Sequence, residues 1–197
     1  LRILFHNYME EWKEKESELF SVEEELPERE KSENLKELLD ETYILIDQAN
    51  EKFDKAQYKE SEMLLLRAGK IRQKLLGAKH LEVAEIDNNL ATVYYKQGKY
   101  QQAEELYQKS LCIHEKVLGE EHPDTIISYD NLARIYEKQK KYQNALFYYF
   151  KVYKFFFEKF GLKYSVTKEF YNNVERLYRH CELKEDFDQW LDKKLKE

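Results

Sequence analysis

The sequence predicts an all-α array of antiparallel helix pairs, and three observations carry that expectation. The first is a period of 42 residues, which separates Tyr58, Tyr100 and Tyr142, then Gly77, Gly119 and Gly161, and again Asn89, Asn131 and Asn173. His80 and His122, Ala103 and Ala145, and Tyr94, Tyr136 and Tyr178 keep the same register. The second is the placing of apolar residues at three- and four-residue steps inside each unit, the mark of an amphipathic helix. The third is composition. Five Gly and two Pro in 197 residues supply too few turns for a sandwich or barrel, whereas 37% charged and 42% hydrophobic residues suit solvated helices with one apolar face.

Taken in order, residues 1–20 read as a helix with a broken apolar stripe of Ile3, Leu4, Phe5, Tyr8, Trp12 and Leu19. Ser21 to Glu24 has capping-box spacing, Pro27 stops what precedes it, and acidic residues dominate Glu10 to Glu33. Residues 1–27 are therefore expected to be a terminal helix, or cap, with an acidic linker, and residues 28–197 the repeat array. Its units should span about 34–80, 81–122, 123–164 and 165–197. The first is degenerate: Gln48 and Lys52 stand where Leu90 and Tyr94 stand one period later. In the second unit, Leu90-Ala91 and Tyr94 mark the first helix, because a small residue beside a large one lets two helices approach closely. A turn at Gln97 to Tyr100 follows. Ala103, Leu106, Tyr107 and Ser110-Leu111 then form the buried face of the second helix. Gly119 should end it in a left-handed conformation, and Pro123 should open the next helix. In the fourth unit Glu175 takes the small position, and a short helix over 185–196 with Phe187, Trp190, Leu191 and Leu195 should cover the apolar end of the stack.

These residues resemble the tetratricopeptide repeat, whose Leu-small, Tyr, Ala, aromatic pattern stands at Leu90-Ala91, Tyr94, Ala103 and Tyr107. That unit is usually about 34 residues long. The longer unit here, closest over Val83–Thr125, is similar to the kinesin light chain class of these repeats. The resemblance implies a right-handed superhelix and a non-catalytic protein-interaction module. A HEAT-like repeat has a comparable period but lacks the small–aromatic ladder.

In such an array the first helices line the concave face. The residues expected there are Asn88, Asn89, Thr92, Tyr95 and Lys96, then Asp130, Asn131, Arg134, Glu137 and Lys138, then Asn172, Asn173, Arg176 and Arg179. The peptide-groove set drawn from them is Asn88, Asn89, Thr92, Lys96, Asn131, Arg134, Lys138, Asn173 and Arg176. An asparagine ladder at 89, 131 and 173 offers donors and acceptors to an extended backbone. Arg134 and Arg176 add charge-assisted bonds to carboxylates, although Asp130 and Glu137 dilute that charge. In the resembled family such positions hold short, often acidic peptides, so a protein or peptide segment is the expected partner, and its acidic character is implied by the resemblance alone.

Residues 146–157 depart from the template. Leu146, Phe147, Phe150, Phe156 and Phe157 replace Glu104, Glu105, Gln108, His114 and Glu115, which read as polar and outward. A helix apolar on nearly all sides is buried on nearly all sides. The final helix with Trp190 is expected to cover part of it, leaving Phe147, Phe150, Phe156 and Phe157 as a convex interface for a partner or for self-association.

Other functions find little support in the sequence. A net charge of -6 argues against nucleic-acid binding. No apolar run approaches a membrane span. No phosphate loop, nucleophile elbow or zinc-helix motif is present, so no enzyme activity and no cofactor are expected. His80 and His122 recur at the loops between units, where a histidine hydrogen-bonded to a helix start is a better reading than a metal ligand. Cys112 and Cys181 read as free, mostly buried thiols of a reducing compartment, which places the chain in the cytoplasm. The chain opens at Leu1 rather than Met, so a piece of a longer protein, or a processed chain, is expected. Two alternatives to a peptide scaffold stand beside it: a sensor region of a larger signalling enzyme, and a structural spacer.

Overall fold

The computed structural model describes residues 28–196 and contains eight α-helices among them. In chain order they are α1 (Glu28–Asp54), α2 (Tyr58–Leu76), α3 (Leu81–Lys96), α4 (Tyr100–Val117), α5 (Pro123–Lys138), α6 (Tyr142–Phe160), α7 (Ser165–His180) and α8 (Phe187–Lys196). The expected helix over 1–20 and the acidic linker after it lie outside the described residues. Two compact units divide the chain, Leu1–Glu41 and Thr42–Glu197, and the candidate site lies wholly in the second.

Within that second unit each helix packs on its neighbours in sequence: α3 on α4, α5 on α6, and α2 on α3, α4 on α5, α6 on α7. This is the signature of a helical repeat solenoid, in which a unit touches only the units beside it. The large–small pairs Leu90-Ala91 and Leu132-Ala133 are buried, as are Ala103, Ala145, Tyr107 and Tyr149 on the second helices. Tyr94, Tyr136 and Tyr178 fill the space one turn later. In the degenerate first pair Ala49 keeps the small position, and Leu45 rather than Gln48 supplies the large buried side chain.

The turns between paired helices are copies of one another. Ala56, Gly98, Lys140 and Glu182, each one period apart, all have positive φ, at 57°, 76°, 60° and 50°. The next N–H reaches back to a carbonyl of the ended helix: Gln57 to Lys52 (2.8 Å), Lys99 to Tyr94 (2.9 Å) and Lys141 to Tyr136 (2.8 Å). This is the Schellman arrangement, which satisfies carbonyls that a helix end leaves without partners. Between pairs, Gly119 has φ 88° just past α4. His80 Nδ1 accepts the Glu82 N–H (3.3 Å), and His122 Nδ1 accepts the Asp124 N–H (3.2 Å), so both loop histidines are N-caps. Pro123 follows in the first turn of α5.

Two expectations about burial are corrected. Cys112 is exposed, because α4 buries Leu111, Ile113 and His114 and turns position 112 to solvent; Cys181 is half-buried, and both thiols are free. Glu104 and His114 are buried rather than outward. Each has found a partner on the following helix pair, which a helical wheel drawn for one helix does not show.

Candidate functional site

The first helices α3, α5 and α7 are joined side by side through their own polar side chains. Asn131 Nδ2 donates to Asn88 Oδ1 (3.2 Å), linking α5 to α3. Arg176 grips Glu137 with both arms, Nη1 to Oε1 at 2.8 Å and Nη2 to Oε2 at 3.1 Å, linking α7 to α5. Arg176 also reaches Asn173 Oδ1 at 3.5 Å. Of the predicted groove residues, Asn88 and Asn131 are thus brought together, as are Asn173 and Arg176. The three asparagines one period apart do not bond one another. Asn131 pairs with Asn88, Asn173 with Arg176, and Asn89 is half-buried on α3 with no side-chain bond among the described residues.

The other predicted residues fall into two groups. Thr92 is a support: its hydroxyl donates to the Asn88 carbonyl (3.0 Å) and accepts from Tyr107 OH (2.8 Å), whose phenol burial pushes up to about 12. Lys96 and Lys138 are exposed in the last turns of α3 and α5. Arg134 Nε lies 2.9 Å from Asp130 Oδ2, and Arg179 lies 2.6 Å from Glu175. Burial pushes the Asp130 carboxyl above its ordinary value although Arg134 and its hydrogen bond oppose the shift. Sequence spacing placed Asp130 and Glu137 beside the arginines; only the structure shows that they occupy them. A shallow depression of about 530 Å³ on α7 is lined by Asn172, Glu175, Arg176, Arg179 and His180.

The second helices carry a different pattern. Glu62 on α2 accepts from Gln97 Nε2 (2.8 Å) and pairs with Lys99 (3.1 Å). One period on, Glu104 on α4 pairs with Lys141 (2.9 Å), which also lies over the Tyr136 ring. Against the upward push of burial, Lys141 and Gln139 hold the Glu104 carboxyl below its ordinary value. A further period on, the same three positions are Leu146, Cys181 and Leu183. The polar brace has become apolar, and an open cleft of about 530 Å³ lies there, with Leu146, Phe147, Phe150, Phe155, Leu183 and Trp190 among its walls. Trp190 of α8 meets Phe150 (ring centroids 5.6 Å apart) and Tyr178 (4.9 Å). Phe156 stacks on Phe170 (5.4 Å), and Phe157 on Tyr153 (5.6 Å). Three of the four predicted convex phenylalanines are thus partly covered by the chain itself, and Phe147 remains 56% exposed.

One buried charge escaped the sequence reading. Arg72 on α2 is fully buried, donates from Nε to Thr42 Oγ1 (2.8 Å), lies 3.0 Å from Glu82 and sits over the Tyr43 ring at 4.3 Å. His114 stands one period on and is likewise buried, which the structure shows and the helical pattern of the sequence does not. Among the described residues no group of three His, Cys, Asp or Glu side chains could hold a metal ion, and no helix is long and apolar enough to cross a membrane.

Comparison with known proteins bears on the same array. A tetratricopeptide repeat family model matches residues 45–111 and 82–156. Among solved structures, BtubC (BKLC) from P. vanneervenii aligns with a TM-score of 0.65 and 18% identity over 78% of this chain and 66% of that one. A kinesin light chain-type protein of P. anserina with nearly identical TPR-like repeats aligns with a TM-score of 0.62 and 24% identity over 70% of this chain and 65% of that one. The likeness to both is one of fold, and the chain spans a little under two thirds of the length of either. No curated protein sequence matches significantly.

Proposed function

This chain belongs to the tetratricopeptide repeat family, and on that premise we propose that it is a non-catalytic scaffold that holds a peptide segment of a partner protein along α3, α5 and α7. Tetratricopeptide repeats are protein-interaction folds, and these are of the kinesin light chain type. The observation that carries the reading further is the strip of amide and charged side chains on the three first helices, cross-linked by Asn88–Asn131 and Glu137–Arg176. Such a strip is organised before any ligand arrives, so binding need not pay to order the site. After its one bond to Asn88, Asn131 keeps an N–H and a carbonyl oxygen for the backbone of an extended segment. A cytoplasmic setting, expected from the free cysteines, belongs to this proposal.

The test is a screen of a random peptide library against the wild-type chain and the Asn88→Ala/Asn131→Ala variant, with helicity followed by circular dichroism. Loss of binding at unchanged helicity supports the groove. Equal binding by the variant moves the interaction to the opposite face.

A second reading is favoured by the cleft beside α6, where Phe147 is exposed among aromatic and charged side chains. That face would bind a partner or a second copy of the chain.

A further inference from the structure

The arginines of the first-helix face are each committed to a carboxylate of the same chain. Arg134 is held by Asp130 at 2.9 Å, Arg176 by both oxygens of Glu137 at 2.8 and 3.1 Å, and Arg179 by Glu175 at 2.6 Å. A two-armed pair uses the guanidinium geometry that a ligand carboxylate would need. Position 130 is the informative one. One period before and after it the chain carries Asn88 and Asn172, so an amide fits that place, yet the middle unit has an aspartate. The Asp130 side chain is only 19% exposed, and its Oδ1 is buried with no hydrogen-bond partner.

The remaining charges do not tip the balance. Lys96 and Lys138 are exposed at the ends of α3 and α5, while Glu85 on α3 and Glu169 on α7 bring acid to the same helices. Without an excess of positive charge the face has no field to steer an acidic segment. What it offers in quantity is amide: Asn88, Asn89, Asn131, Asn172 and Asn173, each a donor and an acceptor.

We propose that Asp130 and Glu137 are specificity-determining residues that make this groove select extended, uncharged peptide segments and reject acidic ones. The proposal rests on the groove reading above and replaces the acidic partner that the family resemblance implies. In it, Asp130 and Glu137 act twice. They neutralise Arg134 and Arg176, and they present like charge to any ligand carboxylate placed between the helices.

The experiment uses an array of nine-residue peptides, each made in a glutamate form and in a twin with every glutamate replaced by glutamine. The full chain, the Asp130→Asn/Glu137→Gln variant and the milder Glu137→Gln variant are compared by fluorescence polarisation at low and high salt, with helicity checked for each. The wild-type chain should bind the glutamine twins roughly tenfold better than the glutamate forms. The double variant should reverse that order, through a gain for glutamate peptides that high salt removes. Glu137→Gln, at a half-exposed position, should shift the ratio the same way if the double variant folds poorly. A wild-type preference for glutamate peptides, or a ratio unmoved by both variants, overturns the selector and leaves the groove standing. Absence of binding by every folded form to every peptide overturns the selector together with the groove.

Discussion

Lys140 occupies a backbone conformation that an L-residue with a side chain adopts at a cost. Its φ is 60°, and the residue one period earlier, at the same point of the same turn, is Gly98 with φ 76°. A Cβ added at Gly98 would meet no atom within 4 Å, so the difference between the two sites is conformational strain rather than space. Lys140→Gly should therefore stabilise the protein and Gly98→Ala destabilise it, each by about 1 kcal/mol. Urea midpoints of the two variants, moving in opposite directions, are the check. His114 offers a second measurement at this scale. It is 3% exposed, and its Nδ1 lies 2.9 Å from Ser128 Oγ. The Ser128 hydroxyl donates to the Asp124 carbonyl (2.9 Å), so the imidazole is the donor in the bond to serine, and its buried Nε2 has no partner. Burial lowers the His114 pKa, with His122 adding to the shift and Asp124 opposing it. In the unfolded chain the ring titrates at about 6.5. Above that value both states are neutral and the full stability is present. As pH falls below it the unfolded chain takes the proton first, and stability is lost until the folded ring also titrates. Asp87 and Asp130, whose carboxyls burial raises, contribute in the opposite sense. His114→Gln leaves those carboxyls in place. Its stability should fall less than the wild type's between about pH 7 and about pH 5 in urea titrations.

Among the helices, α6 and α8 depart furthest from the repeat. Where the earlier junctions carry Glu62 with Gln97 and Lys99, or Glu104 with Lys141, the last carries Leu146, Cys181 and Leu183. An apolar junction needs an apolar cover, and α8 supplies it with Trp190 and Phe187 against Phe150, Tyr171 and Tyr178. Trp190→Ala should cost on the order of 2 kcal/mol, less than the roughly 3–5 kcal/mol of a fully buried ring, because Trp190 is half-buried. Hydrogen exchange should quicken in α7 and α8 and stay unchanged in α3, since each helix pair touches only its neighbours. Faster exchange spread evenly over the array would refute that local picture.

At the scale of the whole chain the two proposed binding faces make different demands. The first-helix face is polar, internally paired and suited to a single extended segment. The α6 cleft mixes aromatic rings with lysines and glutamates and keeps Phe147 exposed, so contact there would bury rings within a charged rim. Sedimentation of the wild type against Phe147→Glu tests the second. If copies of the chain meet through that face, the variant should show a lower mass at the same helicity, whereas equal masses would dismiss self-association there. The family and the helix order were legible in the sequence because both depend on short-range rules. A residue every three or four positions makes a helix face, and a copy every 42 residues makes a stack, as Tyr58, Tyr100 and Tyr142 show by each opening a second helix. Asn88, Asn131, Arg134 and Arg176 could be placed on one face by the same counting. What each of them bonds could not, because Asn131 reaches Asn88 rather than its counterpart Asn89, and Arg176 takes Glu137 from the preceding unit. The burial of Glu104 and His114 escaped for the same reason. Period and amphipathicity are properties of one helix at a time and are carried by the chain alone. Asp130 with Arg134 and Glu175 with Arg179 are one-turn neighbours on a single helix, whereas the pairing of Glu137 with Arg176 is decided by the sideways packing of helices some forty residues apart, and it sets part of the charge on the first-helix face.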